Sequence, residues 1–124
     1  MEYVKCEKII EALRTVRSPA MPGEVDLHAL IARALNAAGI PYAHEYRLAP
    51  RCRLDFFAGR TAIEVKKGKP RPEALAKQLE RYLAEETVRE MIVVLQREVF
   101  LPPRIGGKPV YVVNVSRNWG VALP

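Results

Sequence analysis

Residues 54–68 read LDFFAGRTAIEVKKG, two strand-like runs joined at Ala58-Gly59-Arg60. Apolar and β-branched residues on either side of a glycine-bearing turn predict an antiparallel hairpin. Its oddity is charge. Asp55 lies among Leu54, Phe56 and Phe57, and Glu64 lies between Ile63 and Val65. Burying a carboxylate without a partner is expensive. Successive strand residues point to opposite faces, so Ala62, Glu64 and Lys66 share one face and Thr61, Ile63 and Val65 the other. On the first strand, Arg53, Asp55 and Phe57 oppose Leu54 and Phe56. Pairing through the turn then sets Asp55 beside Glu64 and Lys66. Two close carboxylates repel, so the trio needs a cation or a shared proton. A hard divalent ion such as Mg²⁺ takes one or two carboxylates and keeps several waters.

Outward from the hairpin, residues 42–49 (YAHEYRLA) add a third strand, which makes an antiparallel meander of 42–49, 51–58 and 60–67. Upstream, Leu27, Leu30, Ile31, Ala34, Leu35 and Ala38 recur at helical spacing over 24–38, and Gly39 with Pro41 stops that helix. A shorter helix over 2–16 carries Val4, Ile9, Leu13 and Val16, and Pro19, Pro22 and Gly23 break the chain after it. Downstream, the loop KGKPRP leads to a helix over 73–87. A buried strand over 91–100 follows, and C-terminal strands lie over about 109–123. The expected fold class is α/β: a mixed central sheet flanked by helices, in one domain spanning 1–124 with its core at about 24–97.

The chain has 124 residues, 49% hydrophobic and 27% charged. That length suits one domain with a single real core. No apolar run reaches membrane-spanning length, and the charged start MEYVKCEKII has no signal-peptide core, so no membrane partner and a cytoplasmic location are expected. Cys6 and Cys52 suit neither a disulfide framework nor a zinc site, and read as small, semi-buried residues. His28 and His44 read as surface or interface residues that support no metal site. Lys and Arg total 20 against 14 Asp and Glu, a formal charge of +6. Such a balance is compatible with a polyanionic partner.

On the upstream helix, Glu24 projects roughly 40° from the centre of the apolar stripe at 100° per residue. Its plain role is to complement the helix N-terminus. Yet the order Glu24, Asp55 and Glu64-Val65-Lys66, on helix, strand and strand, resembles the PD-(D/E)xK nuclease superfamily. Leu54 stands where the naming proline would be. The resemblance covers residues 24 to about 96 and implies a restriction-endonuclease-like αβββαβ core. Gln78 and Tyr82, four apart in QLERY and so on one helical face, resemble the QxxxY motif of the RecB-like branch.

The resemblance implies metal-dependent hydrolysis of phosphodiesters. Asp55, Glu64 and the Val65 backbone carbonyl would ligate Mg²⁺ or Mn²⁺, and Glu24 would reach the metal through water. Lys66 would orient or deprotonate the attacking water, or steady charge on the phosphate. Gln78 and Tyr82 would position the strand. Lys67, Lys69, Arg71, Lys77 and Arg81 follow the acids, a run that serves either as a solvated face or as a backbone track. The implied partner is DNA, and nothing in the residues separates it from RNA. A homodimer or larger assembly is attractive for so small a nuclease, with REVFLPPRIGG (97–107) as a candidate contact. Two alternatives stand beside an exonuclease or a repair or defence enzyme. One is an endonuclease of the Holliday-junction-resolvase or restriction type. The other is a non-catalytic nucleic-acid-binding module.

Overall fold

A computed structural model describes residues 5–17 and 26–116. Glu24, Trp119 and the expected strand near 120–123 lie outside the described residues. The elements run α1 (Cys6–Leu13), α2 (Leu27–Ala37), β1 (Ala43–Ala49), β2 (Cys52–Ala58), β3 (Thr61–Lys66), α3 (Pro72–Leu83), β4 (Glu90–Leu95), β5 (Arg104–Ile105) and β6 (Lys108–Asn114). Over the described residues the protein is a mixed α/β structure, with six strands in the order β1-β2-β3-β4-β6-β5.

Local chemistry sets the helices. Asp26 caps α2, its Oδ1 accepting from the Ala29 N–H at 3.1 Å, which satisfies one of the orphan donors of a first turn. Leu27, Ile31 and Leu35, spaced by four, form the buried stripe. Gly39 ends the helix at φ 70°, and the Ile40 N–H reaches back to the Leu35 carbonyl at 3.0 Å. That left-handed turn is one only glycine adopts readily. At α3, Pro72 occupies the first turn, where its missing N–H has no partner to lose. Leu75, Leu79, Tyr82 and Leu83 form its buried face. This helix stops at Leu83, short of the expected Thr87. The reason is tertiary. The Glu86 and Thr87 carbonyls accept from the Arg60 guanidinium, and those of Glu85 and Val88 accept from Lys108 Nζ.

The meander forms as the hairpin implies: β1 with β2 and β2 with β3 are antiparallel. Beyond it, β3 pairs with β4, and β4 with β6, in parallel. A parallel pair needs a crossover, and α3 provides it between β3 and β4. Because β3 and β4 are covered on both faces, they are buried along nearly their whole length, and β4 is apolar from Met91 to Leu95. The short β5, antiparallel to β6, falls within a segment that reads from sequence only as turns. Beyond Leu95 the strand expected to run to residue 100 gives way to irregular chain.

Two cores sandwich the sheet. Against α1 and α2 pack Phe56, Ala58, Ile63, Val65, Ile92 and Val94. Against α3 pack Cys52, Leu54, Ala62, Met91, Val93 and Leu95. Each fully buried aliphatic side chain contributes about 1.5–3 kcal/mol. Leu54 and Phe56 therefore lie on opposite sides, contrary to simple alternation. The pairing register passes from His44↔Phe56 to Tyr46↔Leu54, and between them Glu45 takes φ 52°. At that point both strands exchange faces, and β2 leaves β3 beyond Phe56↔Ile63. Asp55 sits at the fork.

Candidate functional site

Asp55 fills the gap where β2 separates from β3. Its Oδ2 accepts the Val65 N–H at 2.8 Å, replacing a strand-to-strand bond. At the fork the acid lies beside Glu64, as alternation expected, close enough for its charge and a side-chain hydrogen bond to act on the Glu64 carboxyl, and it also reaches toward α2. Within a strand the N–H and C=O of one residue point to the same edge, so the Val65 carbonyl shares the edge that faces Asp55.

Glu64 lies on the α3 side of β3 and is only 4% exposed. Its Oε2 is 3.1 Å from Lys66 Nζ. Its Oε1 is fully buried and meets no hydrogen-bond donor among the described residues; the nearby Asp55 carboxyl could bond to Glu64 only through a shared proton. Burial first, then the charge of Asp55, pushes the Glu64 carboxyl up from 4.5 to about 7, against the pull of Lys66. Desolvation outweighs the ion pair here. A buried carboxylate oxygen left unpaired is rare enough to need a reason.

Tyr82 is buried beside these groups, its hydroxyl accepting from Gln78 Nε2 at 2.8 Å. Burial, and then the Glu64 charge, raises its pKa. The Arg81 guanidinium lies 5.7 Å from the centre of the Tyr82 ring. From Lys66 an open cavity of about 380 Å³ extends along the first turns of α3, with Arg71, Lys77, Gln78 and Arg81 on its walls and Ala74 and Leu75 between them. Among the described residues, four cations and no acid line it. Such a surface concentrates anions, and its place at the carboxyl ends of parallel strands is where open α/β sheets collect ligands. Lys67 and Lys69 are exposed on the adjoining loop and do not line the cavity.

That loop is pinned by a residue that sequence reasoning passed over. The buried side chain of Gln96 accepts the Gly68 N–H at 3.0 Å. A polar residue closing the apolar run of β4 was its only signal.

A second missed group lies across Asp55 from Glu64. His28 on α2 and His44 on β1 meet, Nδ1 to Nε2, at 2.8 Å. The two histidines, expected to be unrelated, stack around Phe56. His28 Nε2 is 4.0 Å from Asp55 Oδ2. Single atoms of His28, His44 and Glu45 lie within 4.8 Å of one another. The donor chemistries differ across Asp55: oxygens on one side suit a hard cation, and imidazole nitrogens on the other suit a softer one.

Among the described residues, no helix is long and apolar enough to cross a membrane. Comparison of the chain with protein-family models, with curated proteins and with solved structures gave no match.

Proposed function

We propose that the protein is a metal-dependent nuclease of the PD-(D/E)xK, restriction-endonuclease-like kind, in its RecB-like or QxxxY branch, hydrolysing phosphodiester bonds in DNA. One observation carries the reading. A buried carboxylate oxygen of Glu64 meets no donor among the described residues, and the carboxyl stands beside Asp55 and beside Lys66, which heads a cation-lined cavity. An oxygen so placed suits a hard cation that completes it. Asp55, Glu64 and the Val65 carbonyl would hold Mg²⁺ or Mn²⁺, with Glu24 as a further, water-mediated contact. When bound, such an ion polarises a phosphoryl oxygen and acidifies water.

The chain's own residues do the rest. The Lys66 ammonium, at the cavity head, steadies charge developing on the phosphate and orients the attacking water. Gln78, held by its hydrogen bond to the buried Tyr82, forms one wall against which the strand lies. Arg71, Lys77 and Arg81 grip phosphates along the cavity.

The test is cleavage of linear, nicked, branched and closed-circular DNA with Mg²⁺ or Mn²⁺, repeated with EDTA. Attack on linear DNA alone supports the exonuclease form, and cutting of closed circles supports the resolvase or restriction type. Lys66→Ala and Asp55→Asn are expected to lose at least about 100-fold in rate, within the range for removing a general acid–base or electrostatic group. Asparagine keeps an acceptor for the Val65 N–H. Binding of DNA with no cleavage of any substrate would leave the non-catalytic module as the reading, and cleavage that survives EDTA would end the metal mechanism.

A further inference from the structure

The geometry points to a separate binding site at His28, His44 and Glu45, for a divalent transition cation of the Zn²⁺, Co²⁺ or Ni²⁺ class held by one nitrogen of each histidine and a Glu45 oxygen. The ion would link α2 to β1.

Three features converge. The facing imidazole nitrogens stand 2.8 Å apart. Two nitrogens bound to one zinc at about 2.0–2.1 Å lie roughly 3.3 Å from each other in a tetrahedral site, so a small opening of the pair admits the ion in place of the hydrogen between them. Next, Glu45 adopts φ 52° inside a strand. Neighbouring strand residues ordinarily point to opposite faces, and a left-handed backbone is strained for a residue with a Cβ. That turn swings the Glu45 carboxylate round to the His44 side, within 4.8 Å of both imidazoles. Last, the other His28 nitrogen faces the Asp55 carboxylate at 4.0 Å. At that distance there is no hydrogen bond, and the carboxylate favours a bound cation through its charge alone.

The donor set separates this site from the one beside Glu64. Two imidazoles and a carboxylate with room for solvent suit zinc-like ions and are poor ligands for Mg²⁺. His44 and Glu45 are exposed, so an ion enters from solvent without any opening of the core. Arg53 holds Glu45 Oε1 at 3.0 Å, and a carboxylate offers a second oxygen to the ion.

Calorimetric titration of the full chain with Zn²⁺, in a buffer holding excess Mg²⁺, tests the assignment. One equivalent of Zn²⁺ is expected to bind wild-type protein and raise its melting temperature. His44→Phe preserves the stacking on Phe56 and removes the ligand nitrogen. It is expected to weaken Zn²⁺ binding by at least about 100-fold, at or beyond the upper end for loss of a supporting group. Glu45→Gln should weaken it by about 10-fold or more. Glu64→Gln should leave it intact, so the outcome is independent of the nuclease reading. Co²⁺ in place of Zn²⁺ should give visible absorption in wild-type protein and none in His44→Phe. Wild-type affinity retained by folded His44→Phe, or Zn²⁺ binding lost in Glu64→Gln, would overturn the assignment. So would wild-type protein that binds no Zn²⁺.

Discussion

Replacing Glu64 by glutamine should make the protein more stable at neutral and alkaline pH. The folded state raises this carboxyl from 4.5 to about 7, through burial first and the Asp55 charge second. Between those pH values the folded protein keeps a proton that the unfolded chain has released. Stability therefore falls as pH climbs through that window, and the full penalty is present above about pH 7. At 1.36 kcal/mol for each tenfold change in proton affinity, the ionised Glu64 costs the fold about 3 kcal/mol. Glutamine removes the charge and keeps the shape, and its amide can donate toward Asp55. The pull of Lys66 is already contained in that net rise, and the part-exposed Lys66 ammonium stays solvated when the pair is lost. Urea denaturation of both proteins in EDTA, at several pH values from 4 to 9, reads the difference free of any bound ion. The two should be close in stability near pH 4 and diverge by about 2–3 kcal/mol at pH 8, with glutamine the more stable. Parallel curves, or a glutamine variant less stable at pH 8, would refute the view that Glu64 is held charged at the fold's expense.

Other expectations follow from the cavity and from the strained strand. Replacing Arg71 and Lys77 together by alanine removes two of the four cations lining the cavity. The slope of log affinity for DNA against log salt should flatten by about 1.5, measured by fluorescence anisotropy over a salt series. At Glu45, glycine accepts φ 52° without the roughly 1–2 kcal/mol that the left-handed backbone demands of other residues. Glycine loses roughly 0.5–1 kcal/mol of that gain to chain entropy. Glu45→Gly should therefore denature in urea at the wild-type midpoint or above it, and Glu45→Val should denature clearly below.

Much of the architecture was legible because it is local. The spacing of Leu27, Ile31 and Leu35, closed by Gly39, specifies α2 within its own segment, and the turn at Ala58-Gly59-Arg60 specifies the β2–β3 pairing. The apolar run of β4 announces a strand covered on both sides. What escaped depends on contacts between distant segments. The C-terminal end of α3 is set by Arg60 and Lys108, which take the carbonyls beyond Leu83. A period-of-two pattern cannot register the face exchange at Glu45 and Asp55, since neither residue is a glycine that would advertise a positive φ. Alternation set Asp55 beside Glu64, where its charge does act, but its reach toward His28 was invisible. The histidine pair joins residues 16 apart on a helix and a strand, a distance over which no spacing rule operates.

The bond from the Val65 N–H to Asp55 bears on how such a chain drifts over generations. Asp55 is held in place twice, once by its charge and once because the sheet needs an acceptor at the fork. A descendant that gave up chemistry would still be under pressure to keep an acceptor there. Lys66, partly exposed at the cavity head, has no comparable duty to the backbone and would be free to change. Across a lineage, then, retention of Asp55 reports on folding, and retention of Lys66 is the better record of what the site is for.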